Sequence, residues 1–181
     1  IDHTRLVSEK TTSSYQTAFS QIGMQINDCR NFQDWSKVYE KIVYWETELQ
    51  QNGVEGMEEV VQMQKSSANT EFYKFIKKNY PNWFHGDEDR PLMVHQVMKQ
   101  RVLPLADKEK ILLIVIDNLR LDQYRMLKPL FSQIYDIEHE EIISSILPTA
   151  TQYARNALFA GLMPSEIEKL YPDLWLNDEE E

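Results

Sequence analysis

The chain has 181 residues, 42% of them hydrophobic and 11% aromatic, with 29 acidic against 19 basic side chains for a formal charge of −10. That much apolar material supports a packed core and excludes wholesale disorder; the net negative charge excludes broad electrostatic binding to duplex nucleic acid, though not a small phosphate-bearing substrate in a local positive pocket. The single cysteine, Cys29, excludes an internal disulfide and fits a reducing, cytoplasmic setting, and no apolar run approaches the roughly 20 residues of a membrane span.

The chain opens on Ile1-Asp2-His3-Thr4 and closes on an acidic run ending at Glu181, so both ends read as cuts in a longer protein. Tyr15, Ala18, Phe19, Ile22 and Ile26 recur at helical spacing and predict a first helix. Asn31, with Asp34 three residues on, is a candidate cap for a second, whose stripe is Trp35, Val38, Tyr39, Ile42, Trp45 and Leu49 and whose stop is Asn52-Gly53. A third carries Met57, Val60, Val61, Gln64, Ala68, Phe72, Phe75 and Ile76 on one face and should end by Tyr80, because Pro81 disfavours a helical residue before it. Three such helices with short connections predict an antiparallel bundle. Residues 81–90 read as a polar loop. Asp89 and Pro91 then open a short helix that turns Leu92, Met93, Val97, Met98 and Val102 inward and stops at Pro104.

The pattern changes after residue 106. Residues 111–116 are continuously apolar and rich in β-branched side chains, as a strand buried on both faces of a parallel sheet is. Residues 119–134 predict a helix with Leu121, Tyr124, Leu127, Leu130 and Phe131 inward and Pro129 late in it; 141–147 predict a second strand; 152–160 a helix stopped by Gly161. The expected architecture is therefore α + α/β: a helical bundle over 1–106, then over 107–181 the beginning of a parallel-sheet domain.

Asp117 ends the first predicted strand, at the sheet edge where open α/β folds bind ligands. It reads either as a metal ligand or, with Asn118, as a cap on the next helix. Thr149 and Gln152 have capping-box spacing, which leaves Thr151 unassigned in the first helical turn, where the helix dipole favours negative charge. Arg155, one turn on, suits a phosphate or a surface carboxylate, and Arg120 has the same two readings. His3, His85, His95 and His139 fall in no metal-binding spacing, and five glycines form no phosphate loop.

Two stretches carry a resemblance. Ile114-Val115-Ile116-Asp117-Asn118-Leu119-Arg120 resembles the first metal-binding strand of the alkaline-phosphatase superfamily, and Pro148-Thr149-Ala150-Thr151-Gln152-Tyr153-Ala154-Arg155 with Gly161-Leu162-Met163-Pro164 resembles its nucleophile segment. Asp-Asn-Leu-Arg together with Leu-Pro-Thr-Ala-Thr-Gln-Tyr-Ala-Arg-Asn looks most like the PglZ subgroup, in the PorX-type response regulators of type IX secretion, and the bundle segments around Gly23 and Trp45 look similar to that group too. The resemblance implies a receiver domain before Ile1, a histidine kinase partner, compatibility with a homodimer, and further zinc ligands after Glu181. It implies a two-zinc phosphodiesterase acting on oligonucleotide or cyclic-nucleotide phosphodiesters. There Asp117 and Thr151 would be metal ligands and Thr151 also the nucleophile; Arg155, by its place one turn on, is the candidate contact to the substrate phosphate. A chain lacking most of the ligands would be inactive by itself. The rival expectation is a non-catalytic helical segment that transmits signals and docks partners.

Overall fold

The computed structural model describes residues 3–52, 56–86 and 89–175. They form two compact units: one comprises Ile1–Arg90 with Leu119–Glu138, the other Pro91–Asn118 with His139–Glu181.

The first unit is built on α1 (His3–Asp28), α2 (Phe32–Asn52) and α3 (Glu58–Asn79). Its core is the set of stripes legible in the sequence: Tyr15, Phe19, Ile22 and Ile26 from α1, Trp35, Val38, Ile42 and Leu49 from α2, Met57, Val61 and Ala68 beside and within α3. Aromatic edges lock the layers, Trp45 against Tyr15 at 5.1 Å and Trp35 against Phe72 at 5.3 Å between ring centres. The Asn31 cap forms as its spacing predicts. The Asp34 N–H donates to Asn31 Oδ1 at 2.9 Å, and Asp34 Oδ2 accepts the Arg30 N–H at 3.1 Å. Of the expected stop at Asn52-Gly53, Asn52 ends α2 and Gly53 lies outside the described residues.

Three expectations in this unit change. Tyr39, placed inward by its spacing, is 48% exposed. Residues 81–90 do not begin as a loop: Tyr80–Phe84 is a 3₁₀ turn that buries Trp83 against Phe32, Phe75 and Tyr80. A fifth helix, α5 (Leu121–Phe131), packs on α2. It is shorter than the predicted 119–134, because Pro129 can take no part in the N–H ladder and the helix ends two residues later.

In the second unit the chain runs through a 3₁₀ turn (Val94–Gln96), a π turn (Met98–Val102) and α4 (Leu103–Ala106), then α6 (Thr151–Ala160) and α7 (Pro164–Leu170). Pro104 does not stop a helix here. It sits in the first turn of α4, where its missing N–H costs nothing. Its core holds Met93, Ile146 and Ala157, each at most 1% exposed.

The parallel sheet expected after residue 106 is not seen. Among the described residues there is no strand, only one parallel bridge, between Met93 and Ser144. The second predicted strand is thus extended and buried at Ser144 and Ile146, but it pairs with 92–94, not with 111–116. Residues 111–116 have no ladder and are exposed throughout, Leu112 to 83%. Their composition suits a strand covered on both sides, and a strand needs neighbours to take its N–H and C=O groups. No such neighbours stand beside it among the described residues.

Candidate functional site

Asp117 and Asn118 make a tight turn at the end of the apolar run, with Asn118 at φ 58°. Asparagine is among the few residues with a side chain that take this left-handed conformation readily. Neither caps the next helix. The N-cap of α5 is Arg120, whose N–H donates to Gln123 Oε1 at 3.0 Å. Asp117 stands exposed, and the capping alternative for it is not realised. Arg120 takes the bland of its two readings: its guanidinium binds Asp122 through bonds of 3.0 and 2.8 Å and holds that carboxyl below the usual aspartate range.

The segment that follows Ile146 reaches Thr149 through a cis Leu147–Pro148 peptide. The helix begins one residue earlier than its spacing predicts. Ala150 is the N-cap, at φ −60° and ψ 141°, and no side chain caps the helix. The Thr149–Gln152 capping box is therefore not formed, and both Thr149 and Thr151 are exposed. Ala150 O accepts the N–H groups of Tyr153 and Ala154 at 3.1 and 2.9 Å. The N–H groups of Thr151 and Gln152 have no partner within the helix, so the Thr151 hydroxyl lies beside the positive end of α6. Arg155 follows one turn on and is exposed, with no hydrogen bond or ion pair among the described residues.

The far end of α6 is fixed as predicted. Gly161 takes φ 68° and donates its N–H to Ala157 O at 3.0 Å. A Cβ there would lie 3.8 Å from His95 O, so α6 ends against the 94–96 turn. His139 is exposed, with Nε2 at 3.7 Å from Glu141.

No hydrogen bond or ion pair joins Asp117 to Thr151 or Arg155, and the strand pairing expected to bring Asp117 and Thr151 to one sheet edge is not formed among the described residues. Those residues contain no group of three or more His, Cys, Asp or Glu side chains able to hold a metal ion. One carboxylate and one hydroxyl do not make a two-zinc site, since each zinc takes four donors or so. The described residues therefore do not by themselves fit a zinc pair.

An ion pair without a counterpart in the sequence pattern joins positions 101 and 141. Arg101 Nε and Nη2 each donate to Glu141 at 2.8 Å, a planar two-pronged pair across 40 positions of sequence. Charged residues so far apart carry no periodic signature, and only the fold brings them together.

Comparison with known families gives two matches. Residues 5–84 match the PorX response regulator linker domain. Residues 97–181 match the BREX system PglZ alkaline phosphatase-like domain. Comparison with the curated proteins gives no match. No helix among the described residues is long and apolar enough to cross a membrane. The first match covers α1 to α3 and their core; the second covers the Asp117 turn, α5 and the Thr151 helix. In sequence order, the chain matches the PorX response regulator linker domain and then the PglZ alkaline phosphatase-like domain, the arrangement of a PorX-type regulator with a PglZ domain.

Proposed function

We propose that the protein is the effector part of a two-component response regulator of type IX secretion, and that its phosphatase-like domain hydrolyses phosphodiesters through Thr151. In this reading 1–106 is the linker, and 107–181 opens a parallel-sheet catalytic domain. A receiver domain and its histidine kinase supply the input in the cytoplasm, and the regulator is compatible with a homodimer. Oligonucleotides or cyclic nucleotides are the substrate class. The observation that carries the proposal is the position of Thr151: an exposed hydroxyl at the first residue of α6, unused by a cap, within the stretch matched to the phosphatase-like domain.

The Thr151 hydroxyl gives up its proton as its oxygen attacks phosphorus, the bond to one alcohol breaks and that alcohol leaves with a proton, and water then hydrolyses the threonyl ester, releasing the phosphate with its remaining alcohol and restoring the Thr151 hydroxyl. The N–H groups of Thr151 and Gln152 favour the negative charge gathering there. Arg155 offers a planar fork to the phosphate oxygens. A threonine hydroxyl needs a metal or a base to become a nucleophile. Were a zinc pair bound, Asp117 would offer it one carboxylate, and the metal would supply the acidity that the Thr151 hydroxyl lacks.

The test is a pair of substitutions in the intact regulator, Thr151→Ala and Thr149→Ala, each checked for an unchanged fold. Loss of a nucleophile lowers the rate by several orders of magnitude. We expect that loss for Thr151→Ala alone. Activity lost only in Thr149→Ala moves the role by two residues, and activity kept in both removes the nucleophile from this segment.

A further inference from the structure

The helix α5 lies within the stretch matched to the phosphatase-like domain, yet it packs on α2 of the linker. Arg125 Nη2 donates to Glu40 Oε1 at 2.7 Å, across 85 positions of sequence. Three residues of α2 mark the face it uses. Val43 is only 6% exposed but has no place in the bundle core. With 100° per residue, Tyr39, Val43 and Glu40 lie about 70°, 110° and 170° round α2 from the centre of the stripe of Trp35, Val38, Ile42 and Leu49, all to the same side of it. Burial of an apolar side chain on that flank needs a cover, and α5 is the element held there. The Tyr39 hydroxyl is raised above its ordinary range by burial and then by the Asp122 carboxylate, so the first turn of α5 also lies against this flank.

The cover is one-sided. On α5 the half-buried positions are Leu121, Asp122, Tyr124, Lys128 and Phe131, and all but Asp122 follow one another at three, four and three residues, which is one helical face. Leu127 and Leu130, predicted to turn inward, are 36% and 57% exposed instead, and Met126 is 62% exposed.

We infer that α5 is the docking point of the phosphatase-like domain on its own linker: the Tyr39–Glu40–Val43 flank of α2 grips the Leu121–Tyr124–Lys128 face of α5, with Arg125–Glu40 fixing the register. Only three residues separate the end of this grip from Asp117, so the linker holds the helix that leaves the Asp117 turn. The inference goes beyond the proposed chemistry and does not require the domain to be catalytic.

The test is amide hydrogen exchange on the full chain with Glu40→Arg, Arg125→Glu, the double reversal, and Val43→Asp. Exchange of α1 amides over 15–26 reports whether the bundle stays folded. With the bundle intact, each single reversal should speed exchange across 121–131 several-fold, Val43→Asp by about tenfold or more, and the double reversal should return it toward the starting rate. Unchanged exchange over 121–131 in both single reversals overturns the inference, and so does a double reversal that exchanges faster than either single. These readouts need no turnover, so they stand apart from the Thr151 test.

Discussion

Met93 and Ser144 face one another across a parallel bridge: the Ser144 N–H donates to Leu92 O and Ser144 O accepts the Val94 N–H, both at 2.9 Å. Met93 is 1% exposed and Ile146, two residues past the bridge, is fully buried. With no ladder on either side, packing rather than pairing must hold this junction. Met93→Ala should therefore lower the opening free energy of the Val94 and Ser144 amides by about 2–5 kcal/mol, the cost of a truncated core side chain. Native-state hydrogen exchange measures it. Amides that keep their full protection would show that the bridge does not depend on this side chain.

Cys29 should be nearly inert in the folded chain. Burial, then the nearby carboxylates of Asp34 and Asp28, push its thiol up to about 11, and its Sγ donates to Gln25 O at 3.2 Å. The thiolate is the reactive form, so alkylation at pH 8 should be slow, should climb as pH approaches 11, and should become fast on unfolding. A rate at pH 8 equal to that of the unfolded chain would contradict this environment.

The Arg101–Glu141 pair gives a pH dependence whose sign is fixed. Hydrogen bonds from Arg101 hold the Glu141 carboxyl below the usual glutamate range. A carboxyl lowered by folding contributes stability that is present above its unfolded value and lost as pH falls through its folded value. The pair is exposed to water, so the contribution is small and shrinks in salt. Carboxyl titration by NMR should place Glu141 below an unpaired glutamate, with Arg101→Met moving it back up. Identical midpoints in the two chains would remove the effect.

The bundle was legible because its information is local. Tyr15, Phe19, Ile22 and Ile26 recur once per turn, and all four are buried. Periodicity misled where a distant segment decides burial. Tyr39 continues the stripe of α2 but lies toward the flank that α5 occupies, and Val43, off the stripe, is buried in its place. Met93 shares a helical spacing with Val97 and Met98, and that spacing conceals its pairing with a residue 51 positions away. The run at 111–116 has the composition of a covered strand, but composition says nothing of whether its neighbours are at hand. At the candidate site the residue types were readable, while the start of α6 was misplaced by one residue. Thr149 has cap chemistry, yet the backbone reaches the cap conformation at Ala150.

The bare run at 111–116 also bears on how the molecule behaves among its own copies. Six consecutive apolar residues without a ladder make a template for strand-to-strand association. The chain sets charges at both ends of it, Lys108, Glu109 and Lys110 before and Asp117 after, in the manner of gatekeepers. The formal charge of −10 adds a repulsion between whole molecules that reaches only about 8 Å in physiological salt. Where none of the described residues covers this run, colloidal stability rests on charge.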